Sequence, residues 1–334
     1  MQTAQTMTKT RSNWWPALIA IVVTVALMLW MAGWTGDPSV HRGLDALLVL
    51  AGALPFVVAW LAAACGFGWT LRRLLIPSGS DGLFLQAALG IAALLLLDAA
   101  LGRIGFLQWR GSLGAWVVLA IGWALLFGQI RKEGRGKPMQ LVAPPWLAWL
   151  AAPAIAVLLL AACSAPGWLW ASEFGGYDAL SYHLQLPKEW LARGRIVPLD
   201  HNVYSFLPGY VEAAYYHLAV LLGDGIDAVY ACQLLHASFT LIAVAMLARF
   251  VHRIAPPRVA GLAGAIAAVV FLGTPWVIVV GSLAYNEMAT LLMLAAGLLL
   301  LSQPERWSIG RGVVLGLFVG AACGAKLTAL GFVA

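Results

Sequence analysis

Glu173, Asp178, His183, Glu189, Asp200, His201 and Glu212 are crowded into "EFGGYDALSYHLQLPKEWLARGRIVPLDHNVYSFLPGYVEAAYYHL", residues 173–218 of a chain that is only 10% charged. Ionisable groups at this density in so apolar a chain mark a candidate membrane-surface active site. Asp178 stands out, with two roles open to it. As a cap it would accept hydrogen bonds from the first free amides of a helix starting at Ala179. The residue three positions on is Ser181, not the Glu or Gln of a capping box, which leaves room for a second, functional role. His183 and His201 have no second His or Cys at metal-ligand spacing, so they read as hydrogen-bonded or solvated histidines, and no zinc site is implied.

Two more ionisable residues sit where polarity is expensive. Glu287, in "LAYNEMATLL", opens an apolar run; Lys326, in "GAKLTAL", falls inside another, about 20 Å along it at 1.5 Å per residue. An intramembrane lysine faces either a protein interior or a wet cavity, or else it snorkels to the headgroups. Asp98 is the expected counter-ion of Lys326, and Glu287 has the alternative of a solvated helix start.

The elements that must hold these groups are transmembrane helices. The composition is 62% hydrophobic with 35 Gly and 16 Trp, and the mean hydropathy of +0.87 lies far from soluble domains, where about a quarter of residues are charged. Windows of about 20 apolar residues, enough to cross a bilayer, recur at 14–34, 44–68, 83–102, 113–130, 141–162, 226–250, 259–273, 287–302 and 312–332. The chain therefore reads as an all-α polytopic membrane protein of about nine spans. Gly273 and Pro275 end or kink the seventh. The first, bracketed by Trp14, Trp15 and Trp34 and lacking a small-residue cleavage site, reads as an anchor.

Lys and Arg favour cytoplasmic loops. With the N-terminus inside, thirteen basic residues, among them Lys9, Arg11, Arg72, Arg135, Lys137 and Arg253, fall inside, and six, including Arg42, Arg193 and Arg195, outside. The protein is expected in the cell (inner) membrane with residues 163–225 on the outer face. The net charge of +6 is then topological, without the clustered basic face that nucleic acid would need. Cys65, Cys163, Cys232 and Cys323 are scattered and read as packing residues. Gly312, Gly316, Gly320 and Gly324 line one helix face and predict a close helix neighbour.

A loop as long as 163–225 is usually functional. After Gly175 and Gly176 it predicts a helix over 179–192, interrupted near Pro187 and ended by Gly194. A second helix over 209–222 follows Pro208, with Val211, Ala214, Leu218 and Leu221 on one stripe and Glu212 and Tyr216 off it. Two short amphipathic helices at the membrane surface are expected. Trp168, Trp170, Trp190, Tyr204, Tyr210, Tyr215 and Tyr216 would form an interfacial belt.

"GGYDALSYHLQLPKEWLARG", "HNVYSFLPGYVEAAYYHL", "YNEM" and "GAKLTAL" together resemble the polytopic glycosyltransferases of the C superfamily (GT-C), in the protein mannosyltransferase and aminoarabinose transferase group, over residues 146–334. The resemblance implies a cell-envelope enzyme that transfers a sugar from a polyprenyl-phosphate donor to a lipid, glycan or protein acceptor among the membrane lipids, and implies no nucleic acid. Asp178 then corresponds to the essential loop aspartate and Glu287 to a second acidic residue. Lys326, with Arg193 and Arg195 as alternatives, would face the lipid phosphate. Tyr182, His183 and Glu212 would contact substrate, and a divalent Mg or Mn held by Asp178 and Glu287 is a candidate cofactor. Residues 1–145 would be an added four-span block, because the family's acidic loop follows its first span. Family members continue past the point where this chain ends at Ala334, so a C-terminal truncation is expected. Two rivals belong to other classes: a transporter or lipid flippase with Lys326, Asp98 and Glu287 along a pathway, and a membrane scaffold whose loop binds a partner.

Overall fold

The computed structural model describes residues 15–34, 44–76, 82–133, 146–167, 169 and 176–332. Trp14, Trp168, Trp170, Glu173 and Gly175 lie outside the described residues, as do Lys9, Arg11, Arg42, Arg135 and Lys137.

Long runs of Ala, Leu, Val and Ile satisfy their own backbone only as helices in an apolar medium, and the described residues are helical, apart from turns and one isolated bridge between Leu199 and Asn202. In chain order they form α1 (Trp15–Trp34), α2 (Leu44–Leu75), α3 (Gly82–Arg103), α4 (Leu113–Lys132), α5 (Ala152–Ala162), α6 (Gln185–Arg193), α7 (Tyr210–Leu222), α8 (Val229–Ile254), α9 (Ala260–Leu272), α10 (Pro275–Ser282), α11 (Glu287–Leu301) and α12 (Ile309–Ala325). Four of these, α2, α3, α4 and α8, are long and apolar enough to cross a membrane, and α9 with α10 makes a fifth if a pair bent by 66° is one span. The bend falls at Gly273 and Thr274, immediately before Pro275, as the sequence predicts. Shorter apolar helices lie within α1, α11 and α12 and over Trp149–Ala162.

Glycine sets how closely the first helices approach. A Cβ on Gly90 of α3 would stand 1.8 Å from the Ala64 carbonyl oxygen of α2, and one on Gly66 of α2 would stand 1.8 Å from the Gly122 carbonyl of α4. Backbones in contact across helices are the membrane form of tight packing. The stripe in α12 behaves differently: nothing lies within 4 Å of a Cβ placed on Gly312, Gly316 or Gly320, and only Gly324 meets a neighbour, the ring of Tyr210. The predicted close helix neighbour is absent along that stripe among the described residues. Gly90→Ala is therefore expected to cost about 1–3 kcal/mol, the range for overpacking, while Gly316→Ala costs nothing; thermal unfolding in detergent compares the two.

The two halves of the chain share one core. Trp60, Leu94 and Leu119 from α2, α3 and α4 belong to the same buried cluster as Tyr215, Phe239, Met293 and Phe318 from α7, α8, α11 and α12. That cluster corrects the reading of α7 as a surface helix. Every residue from Val211 to Leu221 is buried, including Glu212, Tyr215 and Tyr216, and Trp190 of α6 is buried too. An α7 covered on all sides has no solvent face for an amphipathic stripe to report, so Trp190, Tyr215 and Tyr216 are core residues rather than an interfacial belt.

At the heart of that core Asp98 of α3 meets His217 of α7 and Trp60 of α2. His217 Nδ1 lies 2.7 Å from Asp98 Oδ1, and Trp60 Nε1 donates to Asp98 Oδ2 at 2.9 Å. His217 Nε2 faces the Ala115 carbonyl oxygen of α4 at 3.2 Å. Both ring nitrogens thus face oxygens of other helices. Asp98 is accordingly not the counter-ion of Lys326: its partners are His217 and Trp60, and it drops out of any pathway shared with Lys326 and Glu287.

Candidate functional site

Tyr177 and Asp178 open the segment that follows Gly176. Asp178 has helical φ/ψ of −64° and −39°, and its side chain makes no capping hydrogen bond. This corrects the cap reading: the residue already lies within the helical turn, where its carboxylate cannot fold back to the first free amides. The next five residues, Ala179–His183, form a π-turn closed by the Leu184 N–H to the Ala179 carbonyl, a bond spanning five residues. A π-turn turns side chains out of helical register, and such turns concentrate at functional sites. Here it swings Tyr182 and His183 inward. The α-helix resumes at Gln185, so the interruption precedes Pro187, and Gly194 ends α6 in the left-handed conformation at φ 74°, as predicted.

Tyr182 ties the pieces together. Its hydroxyl donates to Asp178 Oδ2 at 3.4 Å, and its ring stacks on Tyr204 with centroids 4.0 Å apart. Burial, reinforced by the negative charges of Asp178, Glu287 and Glu212, holds the phenol well above its usual pKa, so it stays a donor. Tyr285, pushed up to about 12 by burial and by Asp178 and Glu287, behaves likewise. The charges of Asp178, Glu287 and Glu212, far apart in sequence, therefore all act on one tyrosine.

Behind Tyr182 the carboxylate of Glu212, 3% exposed, accepts on Oε1 from Asn286 Nδ2 at 3.3 Å and meets His183 Nδ1 at 2.5 Å. His183 is thus the hydrogen-bonded histidine of the two alternatives. Asn286 Nδ2 donates also to the Ala325 carbonyl at 2.9 Å. Its neighbour Glu287 forms an ion pair through Oε1 with Lys326 Nζ and accepts the Asn286 N–H on Oε2 at 3.2 Å. Lys326 itself does not lie within a continuous helix. α12 stops at Ala325; Lys326 is extended at φ −146° and ψ 121°, and a 3-10 turn over Leu327–Phe332 follows. Hydropathy runs unbroken from "GAAC" to "LTALGF", so the sequence conceals this break.

A cavity of about 230 Å³ opens onto these groups, its polar lining from Glu212, Asn286, Lys326 and Thr328, its aromatic lining from Tyr182, Trp190 and Tyr204. Asp178 does not line it and reaches it only through the Tyr182 hydroxyl. Arg193 and Arg195 are exposed and do not line it either. His201 is exposed and bonds Glu189 at 3.0 Å. Burial alone would raise the Glu189 carboxyl, but the hydrogen bonds from Gln185 and His201 and the charges of His201 and Arg193 outweigh it and hold it low.

The donor set does not fit a divalent cation as it stands. Lys326 already occupies one oxygen of Glu287 and the Asn286 amide the other, while Asp178 is bonded by Tyr182. Among the described residues no three His, Cys, Asp or Glu side chains gather as a metal-holding group. Asn286, which sequence reasoning passed over, is the hub between Glu212 and Ala325, and the only signal for it was its place directly before Glu287. Of the cavity-lining side chains, Glu212 and Asn286 each carry a buried acceptor, Oε2 and Oδ1, with no partner among the described residues. Each such atom costs about 1–3 kcal/mol.

No family model, curated protein or solved structure matches the chain. Its helices define it as an all-helical protein with several segments able to span a membrane.

Proposed function

We propose that the protein is a membrane glycosyltransferase that moves a sugar from a polyprenyl-phosphate carrier to an acceptor on the outer face of the cell (inner) membrane. Nine spans with the N-terminus inside put the segment around Asp178 on that face, and the resemblance of residues 146–334 to GT-C enzymes favours the same activity, with residues 1–145 as an added block. The observation that carries the reading is the Lys326–Glu287 ion pair at the mouth of an aromatic-walled cavity, one tyrosine away from Asp178.

The chemistry follows from the charges. An acceptor hydroxyl or amine attacks the anomeric carbon, and the bond from that carbon to the phosphate oxygen breaks with its electron pair going to the phosphate. The acceptor proton goes to Asp178, acting as general base. Lys326, half-exposed and oriented by Glu287, compensates the negative charge growing on the phosphate. The ammonium takes the role that the sequence left open to Mg or Mn, so no step runs through a metal.

Purified protein incubated with radiolabelled polyprenyl-phosphate sugar and membrane-extract acceptors tests this. Transfer is expected in wild type. In Lys326→Met, turnover is expected to fall by about 10², the loss typical of one charge-stabilising donor, while Arg193→Ala, an exposed charge, changes it little. Undiminished turnover in Lys326→Met would return that lysine to a purely structural role, and absence of transfer in wild type would favour a transport or scaffold protein.

A further inference from the structure

The two unpartnered acceptors define more than a charge site. Asn286 is fixed in orientation: its Nδ2 donates to two oxygens, Glu212 Oε1 and the Ala325 carbonyl, so Oδ1 is an acceptor by necessity. Glu212 is fixed as well, with Oε1 committed to His183 and Asn286, which leaves Oε2. Both orphan oxygens are buried, and both belong to side chains that touch each other and line the same cavity. Oε2 itself is packed against backbone without a side chain. Gly209 faces it, and a Cβ there would stand 3.3 Å from Oε2 and 3.7 Å from the Trp190 ring.

Two side chains in contact, each with a buried acceptor that meets no donor among the described residues, suit a ligand that offers two neighbouring donors. A phosphate or a prenyl chain offers none. Neighbouring hydroxyls on a sugar ring do, and the C–H face of such a ring suits the stacked Tyr182 and Tyr204 in the cavity wall. We propose that Glu212 and Asn286 form the subsite that grips two adjacent hydroxyls of the transferred saccharide, separate from the lysine that faces the phosphate. This rests on the glycosyltransferase reading for the identity of the ligand. In that arrangement Glu212 and Asn286 read the sugar and are indifferent to the carrier.

The test separates sugar from carrier. Native mass spectrometry would titrate the protein in detergent micelles with undecaprenyl phosphate and with a panel of the same lipid carrying glucose, mannose, galactose or arabinose. At least one glycolipid is expected to bind wild type more tightly than the bare carrier. Glu212→Gln, which turns the Oε2 position into a donor, should weaken that glycolipid about tenfold or more, as for a lost hydrogen bond to a charged group, with bare-carrier affinity unchanged. Gly209→Ala should do the same while leaving every partner of Glu212 in place, which guards against a Glu212→Gln variant that fails to fold. Equal binding of bare carrier and all glycolipids, or glycolipid affinity unchanged in Gly209→Ala and in a folded Glu212→Gln, overturns the subsite and leaves the carrier reading standing. Failure of wild type to bind the bare carrier overturns that reading, and the subsite assignment with it.

Discussion

Asp98→Ala is expected to destabilise the folded protein by about 2–6 kcal/mol, at about 1–3 for each of the two buried donors left without an acceptor. The carboxylate is fully buried and holds two donors from two other helices, the His217 ring and the Trp60 indole. Its loss leaves a buried imidazole facing empty space and an indole N–H without an acceptor, each a penalty in its own right. The partners act as a unit, so His217→Ala added to Asp98→Ala should cost clearly less than the sum of the two single changes. Thermal and denaturant unfolding in detergent measures the cycle. Additive losses, or a loss under about 1 kcal/mol for Asp98→Ala, would mean that the pair does not hold α3 to α7 as the distances indicate.

The contrast between the two acidic neighbourhoods shows what sequence alone can reveal. Hydropathy located the apolar helices because each must bury a long continuous face, and a break such as Gly273 before Pro275 has its own chemical signature. Gly194 was readable as a terminator for the same local reason. Partner choice was not. Asp98 and Lys326 are both charges in apolar runs, and nothing in their local sequence tells that one pairs with His217, 119 positions away, and the other with Glu287, 39 positions away.

The site was half legible. Asp178, His183, Glu212, Glu287 and Lys326 stand out as unusual polarity in an apolar chain, Tyr182 enters only through the resemblance, and the charges of Asp178, Glu212 and Glu287 all act on that tyrosine. What escaped was geometry without a residue-type signal: the π-turn at Ala179–His183, the break of α12 at Lys326, and Asn286, an uncharged residue whose importance lies wholly in whom it touches. Arg193 and Arg195 show the reverse error. Their charge recommended them, yet they extend from the far end of α6 into the open, and a charge there is screened.

Asp178→Asn is expected to leave the fold intact and lower sugar transfer by about 10² or more. The stability half rests on geometry. Asp178 makes no capping bond, so no helix end depends on its charge, and its side-chain hydrogen bond from the Tyr182 hydroxyl at 3.4 Å is one that an amide oxygen accepts equally well. The activity half rests on basicity, which the amide lacks; the proton of the attacking acceptor would have nowhere to go. Tyr182→Phe separates the residue's placement from its chemistry. It removes the hydroxyl that Asp178 accepts, keeps the ring stacked on Tyr204, and should lower turnover by less than Asp178→Asn, with the same folded thermal transition. Steady-state transfer and unfolding measured on the same purified samples decide between the roles. Full activity in Asp178→Asn would remove this carboxylate from the reaction and move the search for the base to the other two carboxylates whose charges act on Tyr182, Glu287 once released from Lys326 by phosphate binding, and Glu212.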